Sequence, residues 1–497
     1  MKNKLVTNIS FLNLAAQSPT IELNLSLSEK VHIGSNRSKH IFFMCNKALK
    51  SCSLNLFNKK SICNICTYKA KKGFEVFKKR NPNCELIKVN RNDLLNIKIK
   101  NNDLVSDEIL LGVNSTIGSQ LRLDDLTILN PTWTKIKSNM LDSAFGLYNY
   151  FDDYFKNNNI ENFIIFNGRI SCARPLKVAA SKNNINYILF DARLNGLTPY
   201  YSTNEMFHSI SFEKRNALKT YLKFFKDSRS IAEQYAWKKQ NKLSILRDKV
   251  FTKNQKLGYV DESVIKFKKP IISIYVSSDD EYRFLGNDFG RQPIIDQIES
   301  IDTLINSQLN NIYDIVVKMH PNQNNSHKSI LAKYKNLNKK VKILFPNDKT
   351  DSYQLIKMSK IVICFSSSIG TEANYLRKPV IQIGPSKWMG LPTANFMSDA
   401  NSAIELILSK KYKLMPQRSS IIYFTFNMKA FFELQEYKYI EDGIYSYANH
   451  IFKVPIRLRL MAIISKIRQA LLRGDKKIIK NIYLYIPNLI FGTTKTN

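Results

Sequence analysis

Short apolar runs recur along this chain, each closed by a polar or glycine-containing turn and followed by a stretch with helical spacing. Residues 41–44, 109–113, 163–166, 187–190, 271–276, 315–317, 341–345, 361–365 and 380–383 are such runs. Unbroken and rich in β-branched residues, they predict strands buried on both faces, as in parallel sheets. Between them, residues 141–155, 178–181, 293–309, 351–358 and 371–376 carry apolar positions at helical intervals. Strand alternating with helix predicts an α/β chain of two doubly wound, Rossmann-like domains. The reading places the first domain at 1–210, a linker at 211–266, the second domain at 267–420 and terminal helices with a tail at 421–497.

Length agrees with this division, because 497 residues exceed one compact core and suit two domains of about 200 each. Charge changes the picture more. A formal net charge of +35 favours a polyanionic partner: nucleic acid, an anionic membrane face or a phosphorylated substrate. Residues 211–257 hold thirteen Lys or Arg against four Asp or Glu, which reads as a solvated helical linker. Residues 451–497 hold ten Lys or Arg and a single Asp, with Ile456, Leu460, Ile463, Ile464 and Ile467 at near-helical spacing. Two readings fit that tail: a basic amphipathic helix on an anionic membrane, or a terminal helix packed back on the first domain. No apolar run reaches eighteen residues, so no spanning helix is expected. The first twenty residues lack a continuous apolar core and an Ala-x-Ala site, which predicts a cytoplasmic protein.

Four of the seven cysteines, Cys45, Cys52, Cys63 and Cys66, fall within twenty-two residues. In a reducing compartment such a cluster points to metal rather than disulfides, and thiolates suit a structural zinc. The spacing matches no standard finger, so an iron–sulfur centre and unliganded thiols remain open beside zinc.

The densest chemistry lies in 361–384. There an apolar run breaks at Ser366, Ser367 and Ser368 before Gly370 and a short helical pattern containing Glu372. A strand end meeting a helix start, with hydroxyls, accepts phosphate, and a carboxylate in the first turn can accept hydrogen bonds from a ribose. The run at 315–317 ends in Lys318, Met319, His320 and Pro321, so proline would hold the histidine at the carboxyl end of its strand. If both strands share a sheet, Lys318, His320 and the serine turn meet in one crevice. The competing reading is that His320 caps a core strand and the serines cap a helix.

His320-Pro321, followed downstream by Ser-Ser-x-Gly-x-Glu (Ser367, Ser368, Gly370, Glu372), resembles the carboxyl-terminal half of GT-B glycosyltransferases that build bacterial surface polysaccharides, above all capsule-biosynthesis proteins of the Kdo-transferase kind. The resemblance covers about residues 268–390. It implies two domains facing a cleft, with the nucleotide phosphate of an activated sugar, CMP-linked in such enzymes, held by the histidine and the serine turn. Ribose would be held by the glutamate. The lack of a clear Asp-x-Asp motif among the strand ends fits a transfer that needs no metal or other cofactor. Cations and a helix end would take the developing charge. The resemblance also implies a glycan or lipid-linked glycan acceptor on the first domain, at the inner face of the cytoplasmic membrane. Asn167, Gly168 and Arg169 resemble the acceptor-domain loop of those enzymes, although Asn-Gly is also a common turn. Asp279, Asp280 and Glu281 follow the first strand of the second domain, where a carboxylate can serve as general base or cap the next helix.

Two other functions stay in view. One is a CDP-polyol phosphotransferase of the teichoic-acid type, which shares a His-Pro-like strand and a Ser-Ser turn. The other is a nucleic-acid-binding protein, suggested by charge and cysteines; against it, aromatic residues do not interleave with the basic runs and no standard motif appears.

Overall fold

Two six-stranded sheets organise the chain in the computed structural model, which describes residues 6–33, 38–95, 103–123, 125–193, 196–246, 250–278, 282–289, 295–429, 433–441 and 443–472. The chain divides into two compact units. The first takes in the described residues of 1–117, 127–204 and 432–497, and the second those of 118–126 and 205–431. Each is an α/β unit with helices on both faces of its sheet.

In the first unit the strands are β1 (Val6–Leu12), β2 (Ser38–Cys45), β3 (Cys84–Val89), β4 (Asn162–Phe166), β5 (Asn186–Arg193) and β6 (Thr198–Thr203). Their order is β3-β2-β1-β4-β5-β6, parallel throughout except for the last pair. β1 is central, yet its apolar residues alternate with polar ones and the sequence reading passed over it. The polar positions are satisfied inside the protein. Ser10 Oγ lies 2.8 Å from His40 Nε2 and 2.7 Å from Ser28 Oγ, and Asn8 Oδ1 accepts from Asn162 Nδ2 at 2.8 Å. Phe151 of the helix Pro131–Asn157 packs on one face against Phe43 and Phe163, each ring 5.0 Å away. Helices Thr20–Ile33 and Lys60–Arg80 cover the other face around Phe42 and Phe77.

Several expectations change here. Residues 109–113 are not a strand but the middle of a helix, Asp103–Leu121. Ile109, Val113 and Ile117 are buried at four-residue intervals, the helical period. Gly112 lets that helix approach Arg174, whose Cβ would stand 2.9 Å from an added methyl group. The guanidinium of Arg174 is fully buried and donates twice to Glu108 Oε2, at 2.8 and 3.0 Å. The first unit also recovers chain from the far end: β13 (Tyr437–Glu441) and β14 (Ile444–Tyr447) form an antiparallel hairpin, and Tyr447 donates to Glu29 at 2.5 Å. Helix Ile456–Leu472 rests on helix Lys60–Arg80, with Ser465 Oγ 2.7 Å from Ser61 Oγ. Residues 473–497 of the tail lie outside the described residues.

The second unit contains β7 (Ile271–Tyr275), β8 (Asp314–Lys318), β9 (Lys342–Leu344), β10 (Ser359–Cys364), β11 (Val380–Ile383) and β12 (Asn395–Met397), in the order β12-β11-β10-β7-β8-β9 and all parallel. One face packs on Ile301, Leu304, Ala403 and Ile407. The other packs on helices Ile210–Lys223, Ser228–Gln240 and Gln417–Lys429. The first two of these lie in the stretch expected to be a solvated linker. Their stripe of Ala217, Tyr221, Ile231, Ala232, Tyr235 and Ala236 is buried, so charge on one face had concealed a core face on the other.

Helix Ile369–Tyr375 follows β10 and lies tightly on the sheet. A methyl group on Gly370 would come within 2.7 Å of Cys364 Sγ and 2.8 Å of the Trp388 ring, and Trp388 is itself fully buried. Gly370→Ala is therefore expected to destabilise the second unit by about 1–3 kcal/mol through overpacking, read as a lowered denaturation midpoint. An unchanged midpoint would show that the helix has room to move.

Candidate functional site

The strand order of the second sheet reverses between β10 and β7. Connections leave those neighbours in opposite directions, and a crevice opens beyond their carboxyl ends. An open cleft lies there. β7 contributes Tyr275 and Val276, and β8 contributes Lys318 with Met319 and His320. The turn after β10 contributes Ser367 and Ser368, with Glu372 one helical turn on. Five of the residues singled out from sequence thus line one cavity.

Lys318 is the last residue of β8, and its side chain is only 3% exposed. Burial pushes its ammonium down to about 8, against the pull of the Asp348 and Asp351 carboxylates, and Lys242 adds a like charge. Asp351 is already engaged, its Oδ2 lying 3.1 Å from Lys242 Nζ.

His320 is fixed from its backbone side. Its Nδ1 accepts the Asn322 N–H at 3.1 Å, while Gln323 Oε1 accepts the His320 N–H at 3.0 Å, a capping box on the turn Pro321–Asn325. With Nδ1 an acceptor, the neutral ring carries its proton on Nε2 and is a donor there. The Phe251 ring stands 5.0 Å from the imidazole and forms part of the cleft wall.

Glu372 is buried and oriented by Tyr353, whose hydroxyl donates to Oε2 at 2.6 Å; Lys239 Nζ lies 4.0 Å from Oε1. The cleft therefore presents two ammonium groups, an imidazole and hydroxyls including those of Ser367 and Ser368 beside one oriented carboxylate. That set suits a phosphate joined to a hydroxyl-bearing group. The helix Ile369–Tyr375 is only seven residues long, so its dipole adds little and the lysines dominate.

Other expected residues are placed differently. Ser366 does not line the cleft; its backbone has φ +41° and its hydroxyl donates to the Pro385 carbonyl at 2.6 Å. Gly370 serves the packing described above. Trp388 is in the core beneath the helix, 5.8 Å from Phe396. In the first unit Asn167 takes a left-handed turn conformation and donates to Asp191 Oδ2 at 2.6 Å. Burial holds the Asp191 carboxyl above its ordinary range despite that bond and the nearby Arg169. Asn167 and Arg169 are thus brought together at the exit of β4, beside Asp191. Asp279, Asp280 and Glu281 lie outside the described residues.

Cys45, Cys52, Cys63 and Cys66 all line a separate pocket within the first unit. Burial pushes the Cys45 thiol up to about 11 and the Cys66 thiol up to about 12. Among the described residues, no three His, Cys, Asp or Glu side chains converge as one metal ion would require.

Lys239, Phe251, Tyr353 and Asp351 were not anticipated. Both Lys239 and Phe251 sit in the supposed linker, where the apolar stripe through Ile231 and Tyr235 was the available signal. Tyr353 and Asp351 open the helix Ser352–Met358, and nothing in their local pattern marks them.

Solved structures give distant likenesses. The Thermosulfurimonas dismutans KpsC beta Kdo 2,4 transferase is 13% identical, covers 54% of this chain and 80% of its own, and has a TM-score of 0.35. The beta Kdo 2,7 transferase of the same protein gives 12%, 56%, 79% and 0.33. The UDP-GlcNAc 2-epimerase of Methanocaldococcus jannaschii, in complex with UDP-GlcNAc and UDP, gives 12%, 84%, 97% and 0.25. Likeness at these scores says nothing about chemistry. No curated protein matches the chain. Residues 177–392, which contain every described residue of the cleft, match the family described as Capsule polysaccharide biosynthesis protein.

Proposed function

We propose that this protein is a glycosyltransferase of surface-polysaccharide synthesis and that its second unit binds the nucleotide-activated sugar. The observation that carries the reading is the gathering of Lys318, His320, Ser367, Ser368 and Glu372 in one cleft at the switch point of the sheet, within the segment matched to the capsule family. When the bond between the sugar and its phosphate breaks, the departing nucleotide gains negative charge. Lys318 and the Nε2–H of His320 are set to stabilise that charge, with the hydroxyls of Ser367 and Ser368 completing the shell. Glu372, held by Tyr353, is available to ribose hydroxyls. Two lysines in this low-dielectric cleft can supply the countercharge, so transfer is proposed to be metal-independent. A CMP-linked donor is the preferred choice on the resemblance of the motifs. The acceptor is a glycan or lipid-linked glycan.

Among the described residues no helix is long and apolar enough to cross a membrane. Helix Ile456–Leu472 nevertheless exposes Ile456, Leu460, Met461 and Ile464 among arginines, which supports attachment to an anionic membrane surface. The protein should co-sediment with vesicles containing phosphatidylglycerol and not with neutral ones, and equal binding to both would remove this part of the reading.

Nucleotide binding is the direct test. Calorimetric titration with CMP, CDP, UDP and GDP should show selective CMP binding. His320→Asn, which keeps a side chain able to cap the turn, should weaken it by about tenfold or more. A preference for CDP would favour the polyol-phosphate transferase, and no binding to any nucleotide would overturn both readings.

The pH dependence follows from Lys318. Its pKa in the folded, ligand-free protein, about 8, lies below the ordinary lysine value of 10.5. Between those values the unfolded chain keeps a proton that the folded protein has lost, so the empty protein gains stability as pH rises through that window. Phosphate binding has the opposite dependence, because it requires the ammonium. Nucleotide affinity should fall by about tenfold per unit above pH ~8, with about one proton taken up per nucleotide bound. Lys318→Met should weaken binding at neutral pH and abolish that slope; an unaltered slope would assign the proton elsewhere.

A further inference from the structure

We propose that the turn joining helices Ile210–Lys223 and Ser228–Gln240 docks the second unit onto an anionic lipid surface. Leu222, in the last turn of the first helix, is 70% exposed, and Phe225 in the connecting turn is 54% exposed. Among the exposed large apolar side chains of the described residues, only Leu104 is more open than Leu222. The two are three residues apart, and the Phe225 N–H donates to the Leu222 carbonyl at 3.4 Å, so they share one corner. That corner is held from beneath. Tyr221 is buried, with its ring edge-on to the Phe225 ring at 5.5 Å. Ser228 closes the turn by donating its N–H and its hydroxyl to the Phe225 carbonyl, at 3.4 and 2.8 Å. Two neighbouring apolar side chains fixed in this way form a tip, not a scattered exposure.

Cations surround the tip. Over residues 219–233, Lys219, Lys223, Lys226 and Arg229 stand against Asp227 and Glu233, and Glu233 is taken up by Arg229 at 3.2 Å. Two further cations arrive from elsewhere in the chain. Lys429 Nζ stands 5.7 Å from the centre of the Phe224 ring, which Lys223 approaches to 5.6 Å, and Arg418 lies 5.5 Å from that of Tyr221. Residues 418 and 429 are remote in sequence from the turn. The fold therefore gathers positive charge at this corner, beyond what a Lys-rich composition would scatter there.

An apolar tip within a basic collar selects a membrane as its partner. The side chains of leucine and phenylalanine have no hydrogen-bonding atoms with which to read a base or a glycan. Both enter the boundary between headgroups and acyl chains, where lysine ammonium groups meet lipid phosphates while their stems lie along apolar surface. A second copy of this chain would set the same cations against each other, and the net charge of +35 adds to that repulsion. Protein interfaces, moreover, are poor in lysine at their centres. The contact rests on the reading of a transferase attached to an anionic surface. It adds to that reading a contact carried by the second unit, separate from helix Ile456–Leu472 of the first.

A tryptophan reporter in the full chain tests the corner directly. Trp237→Phe leaves Trp133 and Trp388, both buried, and Phe225→Trp then places an indole at the tip. Phosphatidylglycerol vesicles with brominated acyl chains should quench that indole, neutral phosphatidylcholine vesicles of the same bromination should not, and high salt should reverse the quenching. In the otherwise unchanged chain, Leu222→Ser combined with Phe225→Ser should weaken co-sedimentation with phosphatidylglycerol vesicles by about tenfold or more. Its denaturation midpoint should stay near that of the wild type, because both side chains are exposed. Wild-type protein that binds no vesicles would remove the membrane reading altogether. Binding without quenching, or with no loss in the double variant, would overturn this corner and leave attachment through helix Ile456–Leu472 standing. Retardation of a single-stranded oligonucleotide by the wild type and not by the double variant would overturn the corner in favour of nucleic acid.

Discussion

A lysine ammonium buried at the end of a parallel strand needs negative charge nearby, and the second unit is arranged around that need. Lys318 ends β8, whose apolar residues Ile315, Val316 and Val317 are buried between β7 and β9. Asp348 and Asp351 offset part of the desolvation, but Asp351 is shared with Lys242. That arrangement is the basis for proposing that the site receives an anion.

The neighbouring groups show how one sheet edge separates packing from binding. Ser366 is used to close the turn onto Pro385, and Gly370 to admit Trp388 beneath the helix. Once those two positions have set the turn, Ser367 and Ser368 face the cleft. Glu372 is held by a buried tyrosine, so its orientation is set before any ligand arrives. His320 is fixed in the same way by its own turn, through Asn322 and Gln323. Preorganisation of this kind limits the entropy lost on binding and favours stabilisation of developing charge.

The first unit repeats the sheet plan with different chemistry. Its polar central strand is stabilised by Ser10, His40 and Asn8 pairing internally, and four of its cysteines line a pocket near the end of β2. Arg174, entirely buried against Glu108, shows that this unit also tolerates a charge in its interior when both partners and geometry are supplied.

Periodicity alone was enough to predict the α/β class, two sheets and most strands of the second unit, because strands buried on both faces leave long apolar runs. The same local signal placed His320 and the serine turn at strand ends, where proline and polar residues stop the run. It failed where pattern and burial part company. β1 alternates because its polar residues are paired inside, 109–113 is apolar because it is a buried helix, and 228–240 looked solvated because its charges lie opposite a core stripe. Only tertiary structure decided that β10 and β7 are neighbours, that Lys239 and Phe251 reach the cleft, that Tyr353 orients Glu372 and that chain beyond residue 432 returns to the first unit. Sequence determines which residues can end a strand or cap a turn through local sterics. Which ends share a crevice depends on strand order, set by the packing of residues far apart in the chain.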